Sequence, residues 1–315
     1  MSIKKELPKI KENILLADYT TFKIGGPGRY FLTVKNRKEL IEAVKTAKKF
    51  KAPFFILGGG SNTLFSDKGF KGMVIKCQTS GIKRKNNMIS AESGVLLKDL
   101  VELALDNSLT GLEWAVKIPG TLGGAVSGNA QAFGSRMSDS VKSAKAFDTG
   151  DFKIKNFSKK ECNFSLKNSI FKNNKNLIII SAVLKLKKGN KKEIKEKIKD
   201  YTRHRKRMHP LDYPCAGSVF INPEIKITDK RLFKKFPDLE EQNKKRAIPS
   251  AYLIERCGLK GKKIGGAQFS KKHANFIINL NKAKSKDVKD LIKLAKERVK
   301  KTFGVVLKEE IQIIE

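Results

Sequence analysis

Apolar residues recur at helical spacing in several segments of the chain, and polar residues bound each segment. The spacing predicts amphipathic helices over residues 37–50, 96–106, 191–208 and 285–302. Short runs rich in β-branched and aromatic residues lie between them and predict strands at residues 30–34, 53–57, 72–76, 88–91, 143–147, 177–186, 218–221, 276–279 and 311–314. The fold class is therefore α+β or mixed α/β.

A change of chain direction is expected where the third predicted helix ends. Pro210 and Pro214 follow that helix closely, and proline cannot continue a helix. We therefore expect a domain boundary there, with one domain over residues 1–208 and a second over residues 209–315. Within the second domain, the charged stretch 224–246 is expected to be a loop or a weak helix.

The chain is strongly basic, with 67 Lys and Arg against 31 Asp and Glu and a formal net charge of +36. Such a charge suggests either a solvated lysine-rich surface or a nucleic-acid-binding protein. The excess is spread over every segment, and no helix-turn-helix, zinc finger or aromatic RNA-binding strand accompanies it. The solvated surface is favoured, and we expect no nucleic-acid partner. A positive field would also attract small polyanions such as dinucleotides and nucleotide sugars.

Two further classes are disfavoured by the sequence. No apolar run approaches the roughly 18 to 20 residues that span a bilayer, and no apolar signal segment is visible near the first residue. We therefore expect a cytoplasmic protein without a membrane partner. The four cysteines and three histidines are too scattered to form a recognisable metal-ligand pattern. We expect free thiols and no metal site.

Two glycine-rich turns carry the main chemical signal. Residues 57–62 follow a predicted strand with three consecutive glycines, and residues 118–124 combine a proline with three more. Glycine allows backbone N–H groups to approach an anion closely. The first turn is neither a P-loop nor a Rossmann fingerprint, because no Gly-Lys-Ser/Thr follows it and residues 64–69 are expected to continue as a loop. One such turn alone is more often structural, but two in one chain suggest a bound dinucleotide.

The order and spacing of these turns and of several other motifs resemble one enzyme family. The similar segments are residues 20–27, 57–64, 118–125, 129–134, 168–172, 213–220, 253–261, 273–276 and 303–311. Together they resemble the UDP-N-acetylenolpyruvoylglucosamine reductases over nearly the whole chain. The short segment between residues 172 and 217 is similar to the shorter subtype of that family, which lacks a substrate-covering tyrosine loop.

The resemblance implies an α+β fold with an FAD-binding domain of the vanillyl-alcohol-oxidase-like type and a C-terminal substrate-binding domain. The first domain would have two lobes, about 1–78 and 79–208, and the strand near 305–315 would return to the active site. The implied reaction reduces UDP-N-acetyl-3-O-(1-carboxyvinyl)-glucosamine to UDP-N-acetylmuramate, with FAD as cofactor and NADPH as co-substrate. Another FAD-dependent oxidoreductase of the same superfamily, acting on a different alcohol or enol, is the alternative. We expect a monomer.

The resemblance also implies site residues. Ser218 would donate a proton to the substrate carbon, Glu310 would assist, and Lys167 occupies the position where the family normally has an arginine. Lysine keeps the charge but loses the bidentate fork, so Lys172 is a candidate to share the role. The expected cofactor contacts are Gly58, Gly59, Gly60, Ser61, Asn62, Pro119, Gly120, Thr121, Gly123, Gly124 and Asn129.

The substrate contacts are less sharply defined by the motifs. Arg205 and Arg207 belong to a basic cluster over residues 203–207 that could bind the diphosphate, although a solvated helix face explains the cluster equally well. Asn222 and Tyr252 are candidates for the sugar or the uracil. Gln131 replaces a glycine of the family pattern, which would place a side chain where backbone normally approaches the flavin.

Overall fold

The computed structural model describes residues 2–315 and contains both helices and strands. The helices are α1 (Ile3–Glu6), α2 (Arg37–Lys49), α3 (Leu97–Asp106), α4 (Leu122–Ser127), α5 (Met137–Ser140), α6 (Ile170–Asn173), α7 (Lys191–Met208), α8 (Lys230–Lys235), α9 (Leu239–Lys244), α10 (Ser250–Arg256) and α11 (Ser285–Phe303). The strands are β1 (Lys11–Leu15), β2 (Pro27–Val34), β3 (Phe54–Leu57), β4 (Thr63–Phe65), β5 (Phe70–Cys77), β6 (Ile82–Lys85), β7 (Met88–Glu92), β8 (Leu109–Thr110), β9 (Gln131–Ala132), β10 (Ser135–Arg136), β11 (Val141–Asp148), β12 (Lys153–Ser158), β13 (Leu177–Lys185), β14 (Lys187–Lys188), β15 (Cys215–Ser218), β16 (Lys263–Ile264), β17 (Ala267–Phe269), β18 (Phe276–Asn279) and β19 (Gln312–Ile314).

The chain forms two compact units. Unit 1 contains residues 1–15, 27–60 and 70–207, and unit 2 contains residues 16–26, 61–69 and 208–315. The passage from α7 into unit 2 lies close to the boundary expected from the prolines. A single division between residues 208 and 209 nevertheless misplaces two short segments. Residues 16–26 and 61–69 leave unit 1 because their hydrogen bonds and buried side chains lie with the C-terminal part of the chain.

Unit 1 contains two larger sheets, beside the two-stranded pairs β9–β10 and β8–β14. The first has the strand order β1-β2-β5-β3, and α2 packs its apolar stripe of Leu40, Ala43, Val44 and Ala47 into the core beside it. The second is an antiparallel sheet of order β12-β11-β13-β7-β6, with the fully buried Trp114 in its core. Strand β13 is buried on both faces. Ile178 and Ile180 belong to the core that contains the apolar stripe of α2, and other residues of the strand belong to the core that contains Trp114.

Unit 2 is built around one core. Its four-stranded sheet has the order β15-β18-β17-β16, and helices α10 and α11 supply much of the apolar packing. Strand β19 pairs in parallel with β4, with Ile313 opposite Leu64. The C-terminal strand thus binds the chain segment that follows the first glycine turn.

The predicted helices agree closely with the structure, whereas several strands differ. The predicted loop over residues 64–69 is wrong at its start, because Thr63–Phe65 forms β4. A three-residue strand shows no periodicity of its own, and its partner lies near the other end of the chain. The strand predicted at 218–221 instead lies at Cys215–Ser218, and the stretch 224–246 contains the two short helices α8 and α9.

The sequence predicts no membrane-spanning helix, no disulfide and no metal site, and residues 2–315 can be compared with each of these expectations. No helix within residues 2–315 has the length and apolar character needed to cross a bilayer. The four cysteines are free thiols. No group of three or more His, Cys, Asp or Glu residues is placed to hold a metal ion in this part of the chain.

Candidate active site

The two glycine-rich turns pack directly against each other in unit 1. A Cβ atom at Gly58 would lie 2.5 Å from Oγ1 of Thr121, and one at Gly59 would lie 2.2 Å from the carbonyl oxygen of Pro119. Both distances are far shorter than a van der Waals contact allows. Gly60 has φ +65°, a conformation that favours glycine. The first turn therefore requires glycine for packing and for backbone conformation.

Three backbone donors of the two turns face no acceptor among the described residues. Within residues 2–315, no atom accepts the N–H groups of Gly58, Gly59 or Gly120, and all three residues are half-buried. Buried backbone donors are normally paired, so these groups are suited to an anionic ligand. The Lys76 ammonium lies behind the first turn and donates to the Gly58 carbonyl at 2.5 Å. The donors and the charge fit the diphosphate of a dinucleotide.

The second turn leads into helix α4. Thr121 caps the helix, since its Oγ1 accepts from the Gly124 N–H at 3.4 Å. Gly123 donates its N–H to Ser93 at 2.8 Å, and a Cβ atom there would lie 2.8 Å from Cβ of Ser93. Gly124 is exposed and would accept a Cβ atom without a close contact. Of the predicted cofactor glycines in this turn, Gly123 is thus explained by packing, whereas Gly124 is open to a ligand.

Asn129 has a structural role that its motif did not indicate. Its side chain is 1% exposed, its Nδ2 donates to the Ser165 carbonyl at 2.9 Å, and its Oδ1 accepts from the Ser138 N–H at 3.0 Å. Asn129 thus anchors neighbouring backbone, and its expected contact with the cofactor stays a prediction.

The turn that carries Lys167 is tied to the end of α4. Ser165 and Asn168 pair through two backbone hydrogen bonds, and Lys167 between them has φ +53°. Ser169 is fully buried, and its hydroxyl donates to the Ser127 carbonyl at 2.7 Å. The Lys172 ammonium donates to the Lys167 carbonyl at 2.9 Å. The structure therefore brings the two predicted lysines together at one anchored turn.

Gln131 lies in a small hairpin beside helix α7. Strands β9 and β10 pair around Phe133 and Gly134, both with positive φ. The Phe133 ring stacks on Tyr201 of α7 at a centroid distance of 4.0 Å. Gln131 is half-buried, and its side chain forms no hydrogen bond with the residues that the structure describes. The hairpin therefore has a defined position, with Gln131 available to a ligand.

The basic cluster of α7 does not form a single face. Arg205 is 7% exposed, donates to the Trp114 carbonyl at 3.1 Å and lies 5.1 Å from the Phe133 ring centroid. Burial lowers the pKa of its guanidinium to about 10. Arg203 and Arg207 are both exposed, and Arg203 pairs with Asp200. One Arg205 donor is therefore used inside the unit, whereas its buried Nε has no hydrogen-bond partner among residues 2–315, and its expected contact with the substrate diphosphate stays a prediction.

In unit 2, Ser218 and Glu310 are brought onto neighbouring backbone. Val219, which follows Ser218, accepts the Glu310 N–H at 2.7 Å, and Phe220 forms an isolated bridge with Glu309. Gly217 has φ +76°, which requires glycine before the serine. The Ser218 hydroxyl is half-buried and forms no hydrogen bond with other residues between 2 and 315.

Asn62 holds the Glu310 segment in place. Its Nδ2 donates to the Glu310 carbonyl at 3.0 Å, and its own carbonyl accepts the Gln312 N–H at 2.9 Å. The carboxylate of Glu309 pairs with Lys296 of α11 at 2.9 Å. Glu309 is therefore paired with the helix, and the catalytic role expected of Glu310 stays a prediction.

The two predicted sugar or uracil contacts have partners within unit 2. Asn222 is exposed, and its Oδ1 accepts the Ser250 N–H at the start of α10, at 2.9 Å. Tyr252 donates to Asp238 at 3.0 Å, and burial together with this bond raises the pKa of its hydroxyl to about 12. Their substrate role stays a prediction.

Sequence reasoning missed two features of these sites. Lys76 showed no motif, because its partner turn lies 18 residues earlier in the chain. His209 was considered only as a metal ligand, and His273 also as part of the segment 273–276, yet both rings lie 4.9 Å from the ring of Phe276, which pairs with Ser218. Only a three-dimensional arrangement connects such residues.

Comparisons with known proteins place the chain in a family. Residues 28–158 match the family model described as FAD binding domain, and residues 209–314 match UDP-N-acetylenolpyruvoylglucosamine reductase, C-terminal domain. The reductase of Clostridium novyi is 38% identical over 97% of this chain and 92% of its own length. The chain belongs to the UDP-N-acetylenolpyruvoylglucosamine reductase family. The reductase of Clostridium kluyveri is 37% identical over 98% of this chain and 94% of its own length.

A solved structure supports the family's fold for this chain. The reductase of Thermus caldophilus is 30% identical and superposes with a TM-score of 0.75, covering 96% of this chain and 98% of its own. The predicted α+β class and the FAD cofactor are confirmed. These reductase relatives do not favour the alternative of a different superfamily oxidoreductase.

Proposed function

We propose that this chain reduces the enolpyruvyl ether of UDP-N-acetylglucosamine to the lactyl ether, giving UDP-N-acetylmuramate, with NADPH as the reductant. The named relatives are reductases of UDP-N-acetylenolpyruvoylglucosamine. The observation that carries the proposal is the backbone junction in unit 2, where the segment of Glu310 bonds to the residue after Ser218. Two groups suited to proton delivery are thereby held on adjacent backbone.

FAD, when bound and reduced by NADPH, supplies hydride to the vinyl carbon of the substrate. The residues suited to hold its diphosphate are Gly58, Gly59 and Gly120, through their backbone N–H groups. The chain must then orient the substrate, stabilise charge on its carboxylate and deliver one proton to the adjacent carbon.

Ser218 is the proton donor in this proposal. A serine hydroxyl is a weak acid, so it can protonate only a strongly basic centre such as a carbanion next to a carboxylate. The Ser218 hydroxyl is accessible and is not committed to a hydrogen bond within residues 2–315. It is therefore available to a substrate atom.

Glu310 and Lys167 have complementary roles. Glu310 assists the proton transfer, whereas its neighbour Glu309 forms an ion pair with Lys296. Lys167 stabilises the charge that develops on the substrate carboxylate, with Lys172 at the same turn as a second cation. Arg207, which is exposed, and Arg205 are the arginine candidates for the substrate diphosphate.

The setting of the reaction follows from its reactants. NADPH and the nucleotide sugar are cytoplasmic metabolites, so we place the activity in the cytoplasm. We also propose that the protein acts as a monomer, without a nucleic-acid or membrane partner.

The test separates the two half-reactions under anaerobic conditions. NADPH should bleach the flavin of the wild-type protein, and the enolpyruvyl nucleotide should restore its colour. In Ser218→Ala we expect normal bleaching and a loss of recolouring rate on the order of 10²–10⁴-fold, because the proton donor is missing. Normal recolouring in this variant would remove Ser218 from its role, and a wild-type protein that never recolours would refute the proposed function.

A further inference from the structure

Lys76 is a half-buried cation without a counter-charge. It lies on β5 and its ammonium donates to the Gly58 carbonyl, and no carboxylate lies within ion-pair distance among the described residues. Burial lowers the pKa of this amine from its ordinary value. Holding an ammonium partly out of water costs free energy unless an anion compensates it. The position of Lys76 therefore suggests a negatively charged ligand near the first glycine turn.

The geometry of the peptide bond determines how Lys76 acts on that turn. In a trans peptide, the carbonyl of one residue and the N–H of the next point in opposite directions. The bond from Lys76 to the Gly58 carbonyl therefore directs the Gly59 N–H away from the ammonium. That N–H has no acceptor within residues 2–315. A cation on the carbonyl side also polarises the peptide and makes its N–H a stronger donor.

We propose that Lys76 is a positioning residue for the FAD diphosphate, which it serves by orienting and polarising the peptide between Gly58 and Gly59. Its ammonium remains behind the turn and need not touch the cofactor. The proposal rests on the part of the proposed function in which this turn binds FAD. It does not depend on which substrate the enzyme reduces.

The experiment measures FAD affinity rather than turnover. Apoprotein of the wild type, Lys76→Met and Lys76→Arg is titrated with FAD, and quenching of flavin fluorescence gives Kd. Lys71→Met is the matched control, because Lys71 lies exposed on the same strand and makes no hydrogen bond or ion pair with the described residues. Lys76→Gln replaces Lys76→Met if the methionine variant does not fold.

We expect Lys76→Met to weaken FAD binding about tenfold, as for the loss of one hydrogen bond to a charged group. The loss should persist at about 1 M salt, because a half-buried charge is poorly screened. Lys76→Arg should remain within about threefold of the wild type, since it restores both the charge and the donor. Lys71→Met should bind like the wild type.

Several results would overturn the proposal. They are an unchanged Kd in Lys76→Met, a loss seen only at low salt, a failure of arginine to restore binding, or an apoprotein that is less stable yet binds FAD normally. A wild-type apoprotein that binds no FAD would instead refute the cofactor assignment on which the proposal rests.

Discussion

Replacing Asn129 with alanine should destabilise unit 1 before it affects the cofactor. The substitution leaves the Ser138 N–H without its acceptor in a buried position and removes a donor from the Ser165 carbonyl. An unsatisfied buried donor costs about 1–3 kcal/mol, and the second bond contributes roughly 0.5–1.5 kcal/mol. Asn129 also has φ +40°, which an alanine adopts at a cost of about 1 kcal/mol. The sum is about 2.5–5.5 kcal/mol.

The single tryptophan of the chain makes this measurement specific. Trp114 is 2% exposed in the core of unit 1, so its fluorescence during urea unfolding of the apoprotein reports that unit. Asn129→Gly loses the same side-chain bonds, but glycine adopts the positive φ without strain. It should therefore be less destabilising than Asn129→Ala by about 1 kcal/mol. Asn173→Ala, at an exposed position, is the control and should unfold like the wild type.

The opposite pattern would refute this reasoning. If Asn129→Ala unfolds within about 0.5 kcal/mol of the wild type while its FAD affinity falls tenfold or more, Asn129 contacts the cofactor and the buried bonds contribute little.

Three further predictions concern the turns and the catalytic groups. Gly59→Ala should lower the free energy of unfolding of the apoprotein by about 1–3 kcal/mol, because its Cβ would overlap a carbonyl, whereas Gly124→Ala should leave it unchanged. Equal decreases in the two variants would contradict the packing of the turns. Any loss of FAD affinity in Gly124→Ala would then report close approach of the cofactor. Lys167→Arg should keep or raise kcat, and a severe loss would mean that the site is built around lysine. Glu310→Gln should lower kcat on the order of 10²-fold, whereas Glu309→Gln should only break a partly buried ion pair and change the free energy of unfolding by at most about 1 kcal/mol. Equal effects on kcat would refute the distinction between the two glutamates.

The elements that could be predicted from the sequence are those with a one-sided burial pattern. Helices α2 and α11 bury an apolar stripe and expose lysines, so their periodicity is visible in the residues themselves. Strands β1, β6 and β12 were missed, and all three lie at the edges of their sheets. These three strands are largely exposed and contain lysine, which protects them from pairing with other chains but removes the alternation that reveals a strand.

The sites could be located from the sequence more readily than they could be explained. Helix α7 shows the limit clearly, because a basic run at its end reads as one charged face. The structure turns Arg205 inward and leaves Arg207 exposed, since the position of Trp114 and Phe133 decides which arginine is buried. A pattern of residue types contains the charge of each side chain but not the neighbour that it meets.

The glycine turns show the same limit at the cofactor site. Their composition suggested backbone donors for an anion, and such donors are present at Gly58 and Gly59. Glycine is required at these two positions for a second reason, because the two turns approach each other too closely for a Cβ atom at either residue. Substituting these glycines therefore changes folding and cofactor binding together, which makes them poor probes of the cofactor alone. Lys76 is a better probe, because it acts on the carbonyl side of the turn and its charge can be removed, restored as arginine and tested against salt without placing an atom between the two turns.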